Sequence, residues 1–279
     1  MTPLPVQVAA GGDLLMGQYQ APEYGADATG DRAVLMCNPF GQEAIRCHRA
    51  FRQFAERLAK MGIASLRFDY FATGDSPGDD GDGDLQRWRR DIAAAHETLA
   101  QRSGAGRIAW VGLRLGASLA LAASSLPDRR PDRVVLWDPV VDGSRYLEDL
   151  SHRHAVWTRL RDVDSEVLGF LLPRRLRTQI AAIDLLEALA GHEQPVAVLV
   201  GPQVQGREQL IARLPLLRPD APHAVTTRAT EWCSNEAMGT QWVPGEALDR
   251  LVEFVLDEPA ARLSEGGHAN ARILKEYPQ

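Results

Sequence analysis

Short apolar runs alternate with amphipathic stretches from residue 6 to about residue 140. Arg32–Phe40 (RAVLMCNPF) is apolar almost throughout and predicts a buried strand that ends in a Pro-Phe-Gly turn. Ala50, Phe54, Leu58 and Met61 then recur at helical spacing, and Gly62 stops that helix. Ile63–Tyr70 (IASLRFDY) predicts the next strand, and a Gly- and Asp-rich loop leads to Asp84, a helix N-cap candidate. Leu85, Trp88, Ile92, Ala95 and Leu99 mark one helical face. Arg107–Leu113 reads as a strand, Leu115–Leu126 as a helix of small residues and Arg133–Val140 as another strand.

Continuous apolar strands alternating with helices predict an α/β fold, a mostly parallel sheet covered on both faces. The alternation breaks over residues 143–194, which hold helical stretches and no strand of the core type. It resumes with Pro195–Gly201, a helix near 206–214, His223–Ala229 and a helix from Pro244 to Leu256. The expected organisation is a core over 1–142 and 195–257, a helical cap over 143–194 above the sheet, and a polar tail over 258–279.

Composition narrows the functions. The chain has 279 residues, 45% hydrophobic, enough for a sizeable core. A net charge of −6 argues against nucleic acid, whose backbone needs a positive field. No apolar run approaches the roughly 20 residues of a membrane span, and residues 1–10 lack the pattern of a secretory signal. Cys37, Cys47 and Cys233 form no CxxC pair and no even framework. Together these predict a soluble, cytoplasmic protein.

The strand RIAWV runs into Gly112-Leu113-Arg114-Leu115-Gly116 and straight on into a small-residue helix. That is the setting of a nucleophile elbow, the tight turn that exposes the Ser of GxSxG, here with Arg114 at its centre. Phe68–Gly78 (FDYFATGDSPG) resembles the DxxGxGxS loop of α/β-hydrolases, and Asn38-Pro39-Phe40-Gly41 stands where those proteins place an oxyanion-hole loop. Gly41–Arg52 and Leu136–Leu150 resemble the serine aminopeptidase-like, exosortase-system-associated branch of that superfamily. The resemblance spans residues 5–257 and implies the α/β-hydrolase fold, with the helical block as its cap. It also places an acid after PVAVLVGP and a His within EWCSNEAMGTQW. Gln203, Val204 and Gln205 stand at the first place, and the second holds no His. A Ser–His–Asp mechanism needs all three groups within reach of one another.

Arg114, beside a helix N-terminus, suits an anion: a ligand carboxylate, a phosphate or a phosphopantetheine arm. Alternatively it pairs internally with Glu43, Asp69 or Asp138. Glu43 and His48 are candidates for an acid–base pair, or for a salt-bridge cluster at a helix start with Arg46. Phe40, Gly41, Arg46, Asp69, Leu115 and Asp138 are expected to line the ligand site. Cys37 and Cys47 read as thiolate candidates or as inert buried residues. The Asp79–Asp84 loop departs from calcium-loop spacing at Leu85 and Asp91, and His152 and His154 face different sides of a helix, so neither metal nor cofactor is expected. Arg174, Arg175 and Arg177 form either a solvated helix face or a contact for an acidic acyl-carrier protein. Two functions follow. One is a non-triad enzyme or binding protein for an acyl, ester, thioester or carboxylate-bearing ligand, free or carrier-bound, in a biosynthetic pathway. The other is an inactive pseudo-hydrolase serving as a binding or scaffold protein. A relocated nucleophile is the third, weaker option.

Overall fold

The computed structural model describes residues 2–23, 31–128, 130–159, 165–233 and 243–257. Strands β1 (Leu4–Ala10), β2 (Asp13–Gln20), β3 (Arg32–Cys37), β4 (Ala64–Phe68), β5 (Arg107–Leu113), β6 (Arg133–Trp137), β9 (Val196–Val200) and β10 (His223–Val225) form one sheet. Its order is β1-β2-β4-β3-β5-β6-β9-β10. From β4 to β10 every pairing is parallel, while β1–β2 and β2–β4 are antiparallel. The interior strands β4, β6 and β9 are buried at every position, as strands covered on both faces must be.

The β1–β2 hairpin is absent from the strand assignment made on sequence. Its turn is Gly11-Gly12, both at positive φ, the backbone that a two-residue hairpin with matching twist requires. The strands alternate buried and exposed residues, a weaker apolar signal than the runs of the central strands.

Helices α1 (Gln42–Lys60) and α8 (Gly245–Leu256) cover one face. Helices α2 (Leu85–Ser103), α3 (Leu115–Ala123) and α7 (Arg207–Leu217) cover the other. Helix α2 starts at Asp84, whose carboxylate accepts from the Arg87 N–H at 2.8 Å, and ends at Gly104 in the left-handed conformation. Between β6 and β9 lie α4 (Gly143–Thr158), α5 (Arg174–Ala181), α6 (Leu185–Ala190) and a small antiparallel pair, β7 (Glu166–Val167) with β8 (Phe170–Leu171). None of these joins the central sheet. The two-residue strands of the β7–β8 pair are too short to leave a periodic signature in sequence.

Several predicted spans are longer than the elements observed. Strand β6 ends at Trp137 because Asp138 adopts φ 45°, and α3 ends at Ala123. The turn joining β5 to α3 depends on close backbone approach. A Cβ on Gly112 would overlap the backbone of Gly116 and Ala117, and one on Gly116 would overlap the carbonyls of Cys37 and Asn38. Gly116→Ala should therefore destabilise the protein by about 3 kcal/mol or more. Urea unfolding followed by circular dichroism checks this; a variant as stable as the parent would refute the close-packed turn.

Candidate functional site

Arg114 occupies the tip of the β5–α3 turn at φ 53°, ψ −121°, with its N–H donating to the Trp137 carbonyl at 3.0 Å. Such a positive φ is costly for a residue with a Cβ, and the packed glycines on either side hold it there. Its side chain turns inward. Nε donates to Glu43 Oε1 at 2.8 Å, Nη1 donates to the Asp138 carbonyl at 3.1 Å, and the guanidinium lies 5.4 Å from the Tyr146 ring centroid. Glu43 stands in the first turn of α1, where the helix N-terminus favours a carboxylate. Its second oxygen accepts from the Tyr146 hydroxyl at 2.8 Å. Side-chain exposure is 13% for Arg114 and 3% for Glu43, so this is a buried ion pair. Burial is the largest single influence on the Arg114 guanidinium and lowers it, but the charge and hydrogen bond of Glu43 together with Tyr146 and Asp138 raise the group above its ordinary value. Burial also pushes the Tyr146 phenol well up, with Glu43 adding to the effect.

Asp138 is committed as well. Its Oδ1 accepts from the Gly201 N–H at 2.6 Å and its Oδ2 from Trp232 Nε1 at 3.1 Å. Burial raises its carboxyl, against the opposing effect of those two donors and of Arg114.

Two cavities adjoin these elements. The smaller, about 80 Å³, is bordered by Glu43, Arg114, Asp138, Arg153, Gln203 and Trp232. The larger, about 640 Å³, is lined by Phe40, Gly41, His48, Arg67, Asp69, Trp88 and Phe170, among others. The expected ligand-site residues thus divide between the two. Arg46 and Leu115 border neither. Arg114 does not border the larger cavity, contrary to the expectation of an open anion anchor, because Glu43 draws its guanidinium inward.

The Glu43–His48 acid–base pair does not form. Five residues apart on α1, the two side chains project about 140° apart around the helix. Glu43 meets Arg114, whereas His48 faces Arg67 and Asp69. Burial and Arg67 lower the His48 imidazole, which favours its neutral form. The thiolate alternatives also fall away: Cys37 and Cys47 are fully buried, and burial drives both thiols far up. Of the three cap arginines, Arg175 pairs with Asp84. Among the described residues no cluster of three or more His, Cys, Asp or Glu could hold a metal ion, and no helix is long and apolar enough to cross a membrane.

Neither a family model nor a curated protein sequence matches the chain. Solved structures do. Est1E from Butyrivibrio proteoclasticus, solved with ferulic acid bound, superposes with a TM-score of 0.66 at 15% identity, over 90% of this chain and 98% of that one. The chain has the α/β-hydrolase fold. An esterase of Pyrococcus furiosus gives a TM-score of 0.63 at 19% identity, over 91% of this chain and 89% of its own. The enol-lactonase of Burkholderia xenovorans gives 0.59 at 17%, over 90% of this chain and 100% of its own.

Arg67, on β4, is a residue that the sequence reading passed over. It sits inside the strand IASLRFDY, where a single basic residue gives no pattern, and only the wall it shares with His48 and Asp69 singles it out.

Two outcomes follow from this α/β-hydrolase interior. Arg114→Met leaves Glu43 buried and unpaired and should cost about 3–5 kcal/mol, whereas Glu43→Gln combined with Arg114→Met should recover much of that loss. Thermal melting of the single and double variants measures the coupling, and a single variant that melts like the parent would rule out the strut. Second, Cys37 and Cys47 should resist a disulfide thiol reagent in the native protein at pH 8 and react only after unfolding in guanidinium. Rapid native labelling of either one would contradict their burial.

Proposed function

We propose that the protein binds a small acyl or carboxylate-bearing ligand on an α/β-hydrolase scaffold that does not run the Ser–His–Asp mechanism. The observation carrying this reading is the tip of the elbow. Where a hydroxyl nucleophile would need a base beside it, the chain has Arg114, its charge already neutralised by Glu43. The loop after β9, where the resemblance calls for an acid, has Gln203, Val204 and Gln205. The segment expected to hold a His contains none in sequence, and its residues 234–242 lie outside the described ones.

The nearby serines are otherwise occupied. Ser76 Oγ accepts from the Met16 N–H at 2.9 Å and donates to the Asp69 carbonyl at 2.7 Å. Ser118 is buried and donates to the Val140 carbonyl at 2.9 Å. A relocated serine nucleophile has no support at either place.

The closed ion pair favours a binding protein over an enzyme that reuses the elbow, since an arginine spent on an internal carboxylate is not free to polarise a substrate. The ligand class takes support from the fold neighbours, which include Est1E with ferulic acid bound and an enol-lactonase. A carrier-bound acyl group belongs to the same class, with an acyl-carrier protein as the partner that would deliver it.

A fluorophosphonate probe should label the native protein no better than a heat-denatured control, and Arg114→Ser should not create measurable esterase activity. Mass spectrometry of the labelled protein provides the check. Stoichiometric modification of Ser76 or Ser118 would sink the proposal.

A further inference from the structure

Arg67 is only 8% exposed, yet its guanidinium makes no hydrogen bond or ion pair with any described residue. It borders the cavity of about 640 Å³. Asp69 and Glu56 act on it only at a distance. The Asp69 carboxylate is turned to other donors, the Asp75 N–H at 3.1 Å and Asn38 Nδ2 at 3.5 Å. Arginine keeps its proton at any pH that a folded protein survives, so it cannot escape burial by losing its charge. A guanidinium on a mostly buried residue, without a hydrogen-bond partner among the described residues and facing a cavity, is a site that an anion completes. The contrast with Arg114, equally charged and paired with Glu43, is direct.

We propose that this cavity binds an organic monocarboxylate, with its carboxylate on Arg67 and its apolar body against Phe40, Trp88 and Phe170. The geometry sets each part of that description. His48 shares the wall with Arg67 and offers a neutral ring nitrogen to the same head group. The aromatic rings form a continuous surface: Phe40 lies 6.1 Å from Trp88 and 6.2 Å from Phe170, centroid to centroid. Phe170 comes from the β7–β8 pair, so the insertion between β6 and β9 supplies part of this wall. Asp75 and Asp80, both exposed, also border the cavity and disfavour a second negative charge on the ligand. A dianion or a polyphosphate is therefore a poor fit. The inference rests on the proposed ligand-binding role and deepens it, moving the anion anchor from the elbow to β4.

Titration calorimetry on the full chain tests it, with 4-phenylbutyrate and decanoate as probes and methyl 4-phenylbutyrate as the neutral comparison. The acid should bind about tenfold or more tightly than its ester, the scale of a charge-assisted contact. Arg67→Gln should abolish that preference, and Arg67→Lys should restore part of it. Arg52→Gln, which removes an exposed neighbouring charge, should change affinity by no more than about twofold. Because Arg67 has no partner to strand among the described residues, Arg67→Gln should melt no lower than the parent, so lost binding would not reflect unfolding. Failure of both acids to give saturable binding, equal affinity for acid and ester, or unchanged affinity in Arg67→Gln would each overturn the site. Conversion of the ester to the acid by the parent protein would instead overturn the proposed absence of hydrolysis, and the acids alone would still read out Arg67.

Discussion

The buried pairing of Arg114 with Glu43 is the contact around which the top of the sheet is arranged. Gly112 and Gly116 let β5 turn into α3 against the ends of neighbouring strands, and the turn presents Arg114 where solvent cannot reach it freely. A guanidinium there must be answered by a carboxylate, and the first turn of α1 supplies one. Tyr146 of α4 donates to the same carboxylate, so the pair also ties the segment after β6 to the core. The arrangement is costly to assemble and more costly to break in half, because either partner alone would be a buried charge.

The two arginines at the strand ends illustrate opposite uses of one side chain. Arg114 directs Nε at the Glu43 carboxylate and Nη1 at the Asp138 carbonyl, and the space beside it is only about 80 Å³. Arg67 has no such acceptors among the described residues and opens onto about 640 Å³ of space walled by aromatic rings. In a fold whose chemistry is usually read at the β5–α3 turn, the ligand-binding capacity of this chain is proposed to lie two strands away, past β3. The loops after β3 and β4 bound it, joined by Asn38 donating to the Phe68 carbonyl at 2.8 Å and by the Tyr70 hydroxyl donating to the Asn38 carbonyl at 3.1 Å.

Much of the fold was legible in the chain itself. Apolar runs such as RIAWVGL and PVAVLVG are read as buried parallel strands because covering both faces of a sheet leaves no room for polar alternation. The turn from β5 to α3 was visible because its glycines are a steric requirement that sequence records directly. Elements whose signal is diluted were missed: the alternating β1–β2 hairpin and the two-residue strands of the β7–β8 pair.

The site divided along the same line. Sequence alone determined that Arg114 sits at the elbow and that Glu43, Asp69 and Asp138 are the acids within range, since chain position relative to strand ends is a local property. Which acid takes the arginine was decided by tertiary structure, because helical phase turns Glu43 inward while His48, five residues on, faces the other cavity. Asp138 was removed from contention by Gly201 and Trp232, 63 and 94 residues further along the chain. That Arg67 finds no partner among the described residues had no sequence signature at all. A missing partner is a fact about everything packed around a residue, and only the folded chain contains it.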